Sequence, residues 1–327
     1  MKKVISVFLC VVMLAVTCIG CGKSVQGQNV ALGKVKIFVS TSSDSDEFNN
    51  LLLASIEETA GNSGIEYEVQ CADSSIEKQV EQIAGAREKG YDVIICRLVD
   101  ANTALQVEKA AGDLPVVFIN NSPSADRLKE DKYVFVGSDE KVAGMYQAEY
   151  VLDRLSGKSE LNVVLLKGEM GHSATKGRTE YSKLMLEESG KKINYVFEDY
   201  ANWSTDISAQ YMSIFLKQEI PVDCVIANND LMALGAVEAL KKKGIEPSSV
   251  VIVGVDAIAD ACVAIKNGDM AFSVCQSAKN QGIAAVEVAQ ILGNGKSLKQ
   301  YALADDNLYE VWVEYEKVDA GNVDSYM

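Results

Sequence analysis

A two-lobed α/β architecture, each lobe a parallel sheet flanked by helices, is the fold class this sequence predicts. Short apolar runs alternate with helical spacing from Val35 onward. Such runs form strands buried on both faces, and repeated strand–helix units assemble into parallel sheets covered on both sides. Glycines punctuate the alternation. Gly64, Gly90, Gly190, Gly244 and Gly268 each stand between a helix and the next strand, where a residue without Cβ takes the left-handed cap. Finally, 327 residues exceed one ordinary core and fit two domains.

Taken in order, the spacing predicts strands over 35–40, 65–71, 92–96, 115–120 and 133–136. Further strands are expected over 161–166, 193–197, 223–227, 250–255, 271–275 and 309–313. The rhythm of the first group continues in most of the second, hence two similar lobes. Helical spacing fills the gaps, with Ile76, Val80, Ile83 and Arg87 on one face. Lys241, Lys242 and Lys243 read as a solvated helix end, favourable against the dipole.

The clearest unit is 222–240, VDCVIANNDLMALGAVEAL. An apolar strand over 224–227 meets the polar triplet Asn228-Asn229-Asp230. A helix follows, with Leu231, Leu234, Val237 and Leu240 spaced to face a sheet, and it stops at Gly244. Side-chain amides between a strand end and a helix N-terminus mark where open α/β sheets bind ligands. Asp230 by itself reads equally well as a helix cap.

The N-terminus reads as an export signal over 1–20. Lys2 and Lys3 precede an apolar run from Val4 to Ile19, followed by Gly20-Cys21. That junction looks like the cleavage point of a bacterial lipoprotein, with Cys21 lipidated. Cys18 is the weaker alternative, because Thr17 is a poor small residue before it. Residues 21–34 are then a polar, lipid-anchored tether on the extracytoplasmic face of the cell membrane. The anchor is the only membrane contact expected.

Without Lys2 and Lys3, 29 basic residues face 46 acidic ones, a net charge near −17. So acidic a chain excludes nucleic acid as a partner. Beyond Cys21 stand Cys71, Cys96, Cys224, Cys262 and Cys275, an odd number with no CxxC pair. These read as buried thiols acting as small hydrophobes. No GxGxxG, GxxxxGKS or GxSxG occurs, and His172 is the only histidine. With no base–nucleophile pair to assemble, an enzyme is the least expected class.

The polar residues that follow the strands share one chemistry. Asp46 and Phe48 come after the first strand, and Asn120 ends the fourth. His172 and Arg178 lie in KGEMGHSATKGRTE, Trp203 follows the strand at 193–197, and Asn229, Asp256 and Gln276 come next. Amides, carboxylates and a guanidinium suit vicinal hydroxyls, which both donate and accept. Aromatic rings cover the apolar face of a pyranose. A carbohydrate fits these groups best.

From Val35 to about Val318 the chain resembles the periplasmic galactose/glucose-binding proteins of ABC transporters. The resemblance lies in VVFIN with Pro123 behind it, LLKGEMGH, ANWSTDISAQ, VIANNDLMALGAVEAL, VGVDA and VWVEY. It implies the type I periplasmic binding protein fold, two Rossmann-like lobes joined by a three-segment hinge. The crossings would fall near Gly137, Ser277 and Glu314. The N-terminal lobe would be 35–136 plus 278–313, and the C-terminal lobe 137–277 plus 314–327.

The resemblance also implies a galactose- or glucose-like monosaccharide stacked between Phe48 and Trp203. Asp46, Asn120, His172, Arg178, Asn229 and Asp256 would hydrogen-bond it, and Gln276 stands where those proteins carry Asn. The implied partners are ABC permease subunits, with a monomeric receptor and no cofactor. Two departures stand out. The family pattern after the histidine is H-x-D-x-x-x-R, but Ala174 replaces that carboxylate here, so either water fills the gap, or Ser173 or Thr175 substitutes, or specificity shifts from plain galactose and glucose. The calcium loop of well-known members is replaced by 154–160, RLSGKSE, so no calcium or other metal is expected. The alternative role is sensing, with the bound sugar presented to a membrane sensor kinase or chemoreceptor. A regulator of the Lac-repressor type is excluded, because a signal peptide stands in place of its DNA-binding headpiece.

Overall fold

The computed structural model describes residues 33–43 and 47–327. The export signal, Cys18, Cys21, most of the tether, and Asp46 lie outside the described residues.

In chain order the first elements are β1 (Lys36–Thr41), α1 (Glu47–Asn62), β2 (Glu66–Cys71), α2 (Ile76–Glu88) and β3 (Val93–Cys96). Next come α3 (Ala104–Ala111), β4 (Val116–Ile119), β5 (Tyr133–Gly137), α4 (Glu140–Arg154), β6 (Glu160–Lys167) and α5 (Ser173–Glu188). They are followed by β7 (Lys192–Tyr200), α6 (Thr205–Phe215), β8 (Cys224–Ala227), α7 (Asp230–Lys243) and β9 (Val251–Val253). The chain ends with α8 (Ala259–Asn267), β10 (Phe272–Cys275), α9 (Ala278–Gly293), β11 (Glu310–Trp312) and β12 (Glu316–Asp319).

The strands form two six-stranded sheets, in the orders β11-β5-β4-β3-β1-β2 and β12-β10-β9-β8-β6-β7. Among the described residues every pairing between these strands is parallel except β10 with β12. The chain passes from the first sheet to the second after Gly137, returns between Cys275 and Ala278, and crosses again between Trp312 and Glu316.

Alternation along each strand sorts its side chains between two helical layers. Ile37 and Val39 of β1 pack with Leu52 and Ile56 of α1 and Val288 and Leu292 of α9. Phe38 between them points the other way, to Ile83 of α2 and Val107 of α3. The second sheet is layered in the same manner, with Val163 and Leu165 on one face and Val164 and Leu166 on the other. Central strands β3, β4 and β8 are buried throughout. Edge strands β2 and β7 are only half-buried, because one flank has no neighbour.

The five punctuating glycines, Gly64, Gly90, Gly190, Gly244 and Gly268, all have φ between 64° and 80°. Other local expectations need correction. In α7, Leu231 and Leu234 are half-buried, while Met232, Ala233, Ala236 and Leu240 form the deepest face. Two neighbours, α6 and the sheet, press on this helix, so its small residues go inward. In α2 the buried face is Gln79, Ile83 and Ala86; Arg87 is exposed and Val80 only half-buried. Strand β9 stops at Val253, short of the expected 255, because its pairing with β8 ends there, although Gly254 and Asp256 still hydrogen-bond to Phe272 and Val274 of β10. Strand β12, hydrogen-bonded antiparallel to β10, lies beyond the expected strands. Of the five cysteines among the described residues, Cys96, Cys224 and Cys262 are buried thiols, and Cys71 and Cys275 are half-buried. Burial pushes Cys275 up to about 12.

Candidate functional site

The carboxyl ends of the parallel strands surround one cleft with about 300 Å³ of empty space, part of it open to solvent. Phe48, from the first turn of α1, and Asn120, just past β4, line it from the first sheet's side. His172, Ala174 and Arg178 come from the start of α5 and Trp203 from beyond β7. Asn229 precedes α7, Asp256 follows β9, and Gln276 sits on the crossing between β10 and α9. Every expected site residue among those described therefore meets in one cavity, although more than two hundred positions separate Phe48 from Gln276.

At one end of the cleft Arg178 is buried and almost fully used. Its Nε donates to Glu140 Oε2 at 2.6 Å, and its Nη1 to the Asn228 carbonyl at 2.7 Å. Its Nη2 donates to Gln276 Oε1 at 2.9 Å and to Tyr315 Oη at 3.2 Å. Tyr315 in turn donates to Glu140 Oε2 at 2.6 Å. Asp256 Oδ1 lies 3.8 Å from Nη1. Burial opposes the Arg178 charge, but Glu140, Tyr315 and Asp256 outweigh it and hold the guanidinium above its ordinary value. Glu140, Gln276 and Tyr315 each come from a different chain crossing, so one side chain ties the three together.

Asn229 and Asp230 divide their labour. Asn229 is the cap: its Oδ1 accepts from the Met232 N–H at 3.0 Å. Asp230 is the first helical residue and turns away from the helix, contrary to a capping role. Its Oδ1 accepts from Ser273 Oγ at 2.7 Å and its Oδ2 from the Ile258 N–H at 3.1 Å. The Asp230 N–H donates to the Val255 carbonyl at 2.8 Å, and a Cβ at Gly254 would overlap its carboxylate. Asp230 thus clamps both sides of Asp256, which sits at φ 114° beside Ala257 at φ 53°. Such strained backbone persists only where surroundings over-determine it. Burial raises Asp230 to about 7, against the hydrogen bonds from Ser273, Ile258 and Ala257.

The other end of the cleft is neutral on its lining surface. Asn120, left-handed at φ 58°, accepts from Arg97 Nε at 2.9 Å through Oδ1. Arg97 also donates to Ser42 Oγ at 2.6 Å. His172 caps α5, its Nδ1 accepting from the Ala174 N–H at 3.1 Å. Burial, then the charges of Arg97 and Arg178, hold it well below its ordinary value, so the ring is neutral with its proton on Nε2. Trp203, at φ 62°, packs edge-on against His172 with ring centroids 5.2 Å apart. Its indole lies against Gly168, where a Cβ would overlap it. Beside these groups the two walls touch: Ser122 N–H donates to Ser173 Oγ at 2.9 Å, and Ser173 N–H to Asn121 Oδ1 at 3.2 Å. At this point the walls are in contact.

Sequence reasoning missed the residues behind the lining. Arg97 had a signal, a charge ending the apolar run VIIC. Glu140 and Tyr315 had none, since their partners are 38 and 175 positions away. Among the described residues no group of three or more His, Cys, Asp or Glu side chains could hold a metal ion.

Comparison with known proteins points the same way as the geometry. Residues 37–297 match the family described as periplasmic binding protein domain. A protein of Rhizobium meliloti named for rhizopine binding is 33% identical over 283 residues, covering 85% of this chain and 88% of its own. The D-galactose/methyl-galactoside binding periplasmic protein MglB of Haemophilus influenzae is 29% identical over 296 residues, covering 86% and 88%. Among solved structures, an ABC transporter solute binding protein from Bacillus halodurans with bound myo-inositol superposes with TM-score 0.79 at 31% identity, covering 90% of this chain and 97% of that one. Two parallel-dominated sheets, a cleft at their carboxyl ends and these matches lead to one conclusion: the chain belongs to the periplasmic binding protein family, among its type I sugar-binding members.

Proposed function

We propose that this protein is the extracytoplasmic substrate-binding component of an ABC importer and closes on a single ring-shaped polyol, a cyclitol or a hexose. The observation that carries this reading is the lining itself. Planar hydrogen-bonding groups from both sheets converge with one aromatic ring from each side, Phe48 and Trp203. That combination matches the two-sided chemistry of a hydroxylated ring. The likeness to a myo-inositol-bound protein at 31% identity supports the cyclitol. A galactose-like hexose is the second reading, favoured by the 29% identity to MglB.

The lobes in this reading are 35–136 with 278–313, and 137–277 with 314–327. Export and lipidation at Cys21 would hold them at the membrane, where permease subunits receive the ligand. The test is titration calorimetry against myo-inositol, other cyclitols and free hexoses, with small-angle scattering of the free and saturated protein. A binding polyol should compact the protein. Asp256→Ala should weaken it about tenfold or more, as charge-assisted hydrogen bonds of about 1.5–3 kcal/mol each are lost. Trp203→Ala should weaken it with the fold intact. Wild-type affinity in both variants, or no binding by any ring polyol, would overturn the reading.

A further inference from the structure

The direction of each hydrogen bond in the cleft restricts what a ligand can present. Asn120 has committed its Oδ1 to Arg97, which leaves its amide N–H groups for the cavity. His172 has committed Nδ1 to the backbone, which leaves Nε2–H. Asn229 and Gln276 are arranged alike, with Oδ1 given to Met232 and Oε1 to Arg178. Amides on both walls therefore keep their N–H donors for the ligand, while each oxygen already accepts one hydrogen bond. At the Arg178 end the Asp256 carboxylate supplies an acceptor. On the first turn of α5, Ala174 supplies a methyl group instead.

Neighbouring hydroxyls do not make up the difference. Ser173 Oγ accepts from Ser122 and does not line the cavity. Thr175 Oγ1 is buried without a partner and does not line it either. Among the described residues, a ligand hydroxyl seated over this turn can accept from His172 and Asn120, while Ser173, Ala174 and Thr175 offer its own proton no acceptor in the cavity. Burying such a group unsatisfied weakens binding about ten- to hundredfold. An oxygen without a proton avoids the penalty, and the small Ala174 side chain leaves room for a carbon attached to it.

Resting on the ring-polyol reading, we propose that the preferred ligand places a proton-free oxygen, an ether, carbonyl or carboxylate, over His172 and Ala174. The substituted or oxidised ring is then preferred to the plain polyol. The test is calorimetry of the full chain with myo-inositol, its mono-O-methyl ethers and inososes, in parallel with galactose, methyl galactosides and galacturonate. The ether, ketone and acid arms separate the three sources of such an oxygen. At least one derivative should bind about ten- to hundredfold more tightly than its parent. Ala174→Asp, which restores an acceptor, should reverse that order; should this variant not fold, the wild-type series decides alone. A parent ring that binds wild type as tightly as every derivative overturns this inference and leaves the ring-polyol reading standing. If nothing in either series binds, both fall.

Discussion

At one end of the cleft Arg178 is ringed by side chains from three chain crossings, while at the other Asn120 and His172 are each held by a single hydrogen bond. Both ends are buried, yet they answer to different demands. A buried guanidinium needs its counter-charges whether or not a ligand is present, because an unpaired ion in the interior costs several kcal/mol. That end is therefore part of the fold. A neutral imidazole and an amide need only their proton direction set, and the residue beside them can change from carboxylate to methyl without leaving a charge stranded. The difference teaches that the charged end, where one residue touches all the crossings, is fixed by the needs of the fold, while the neutral end is free to vary.

The largest expected effect tests the charged end as structure. Arg178→Met should destabilise the ligand-free protein by about 3–5 kcal/mol, since Glu140 and Asp256 lose their buried counter-charge. Urea unfolding measures it, and a loss below about 1 kcal/mol would erase the contrast.

Asp230 sharpens the comparison through pH. Its folded value of about 7 stands above the ordinary 3.8, so between these the folded state holds a proton the unfolded chain has released. The stability it contributes is full below about 3.8 and is lost as pH rises through about 7. The slope is at most about 1.4 kcal/mol per pH unit. Asp230→Asn should flatten this component, so the stability gap between wild type and variant should change from about pH 5 to about pH 7. Parallel unfolding curves across that range would show that Asp230 is ionised throughout.

The smallest effect separates the members of the Arg178 cluster. Tyr315→Phe removes a hydroxyl that gives to Glu140 and takes from Arg178, while those two keep their own contact. About 1.5 kcal/mol should be lost, with the ligand-closed form affected no less than the free one. Unfolding with and without saturating ligand checks both halves.

What the sequence determined by itself was where the strands lie and where the helices stop. Runs such as VIIC and VVFI are strands because every side chain in them is apolar, and they lie buried between helical layers. Gly244 and Gly268 stop helices because the left-handed cap needs no Cβ. Polar residues just past the strand ends had to gather where parallel strands finish, which is why Asn120, Trp203 and Asp256 line one cleft.

Tertiary structure alone decided how those groups pair. Adjacent residues Asn229 and Asp230 look alike as helix-start residues, and only the Ser273 and Ile258 partners show that the second one clamps a loop. Arg178 reads as a ligand contact, but its partners Glu140, Gln276 and Tyr315 lie 38 to 137 positions away. Which face of Asn120 or His172 is left for the ligand follows from Arg97 and from the turn of α5. Periodicity records that an element is buried, though in α2 and α7 the packing of neighbours chose the face. It carries no record of which donor meets which acceptor once distant elements pack, and in a buried site that pairing sets both charge and proton direction.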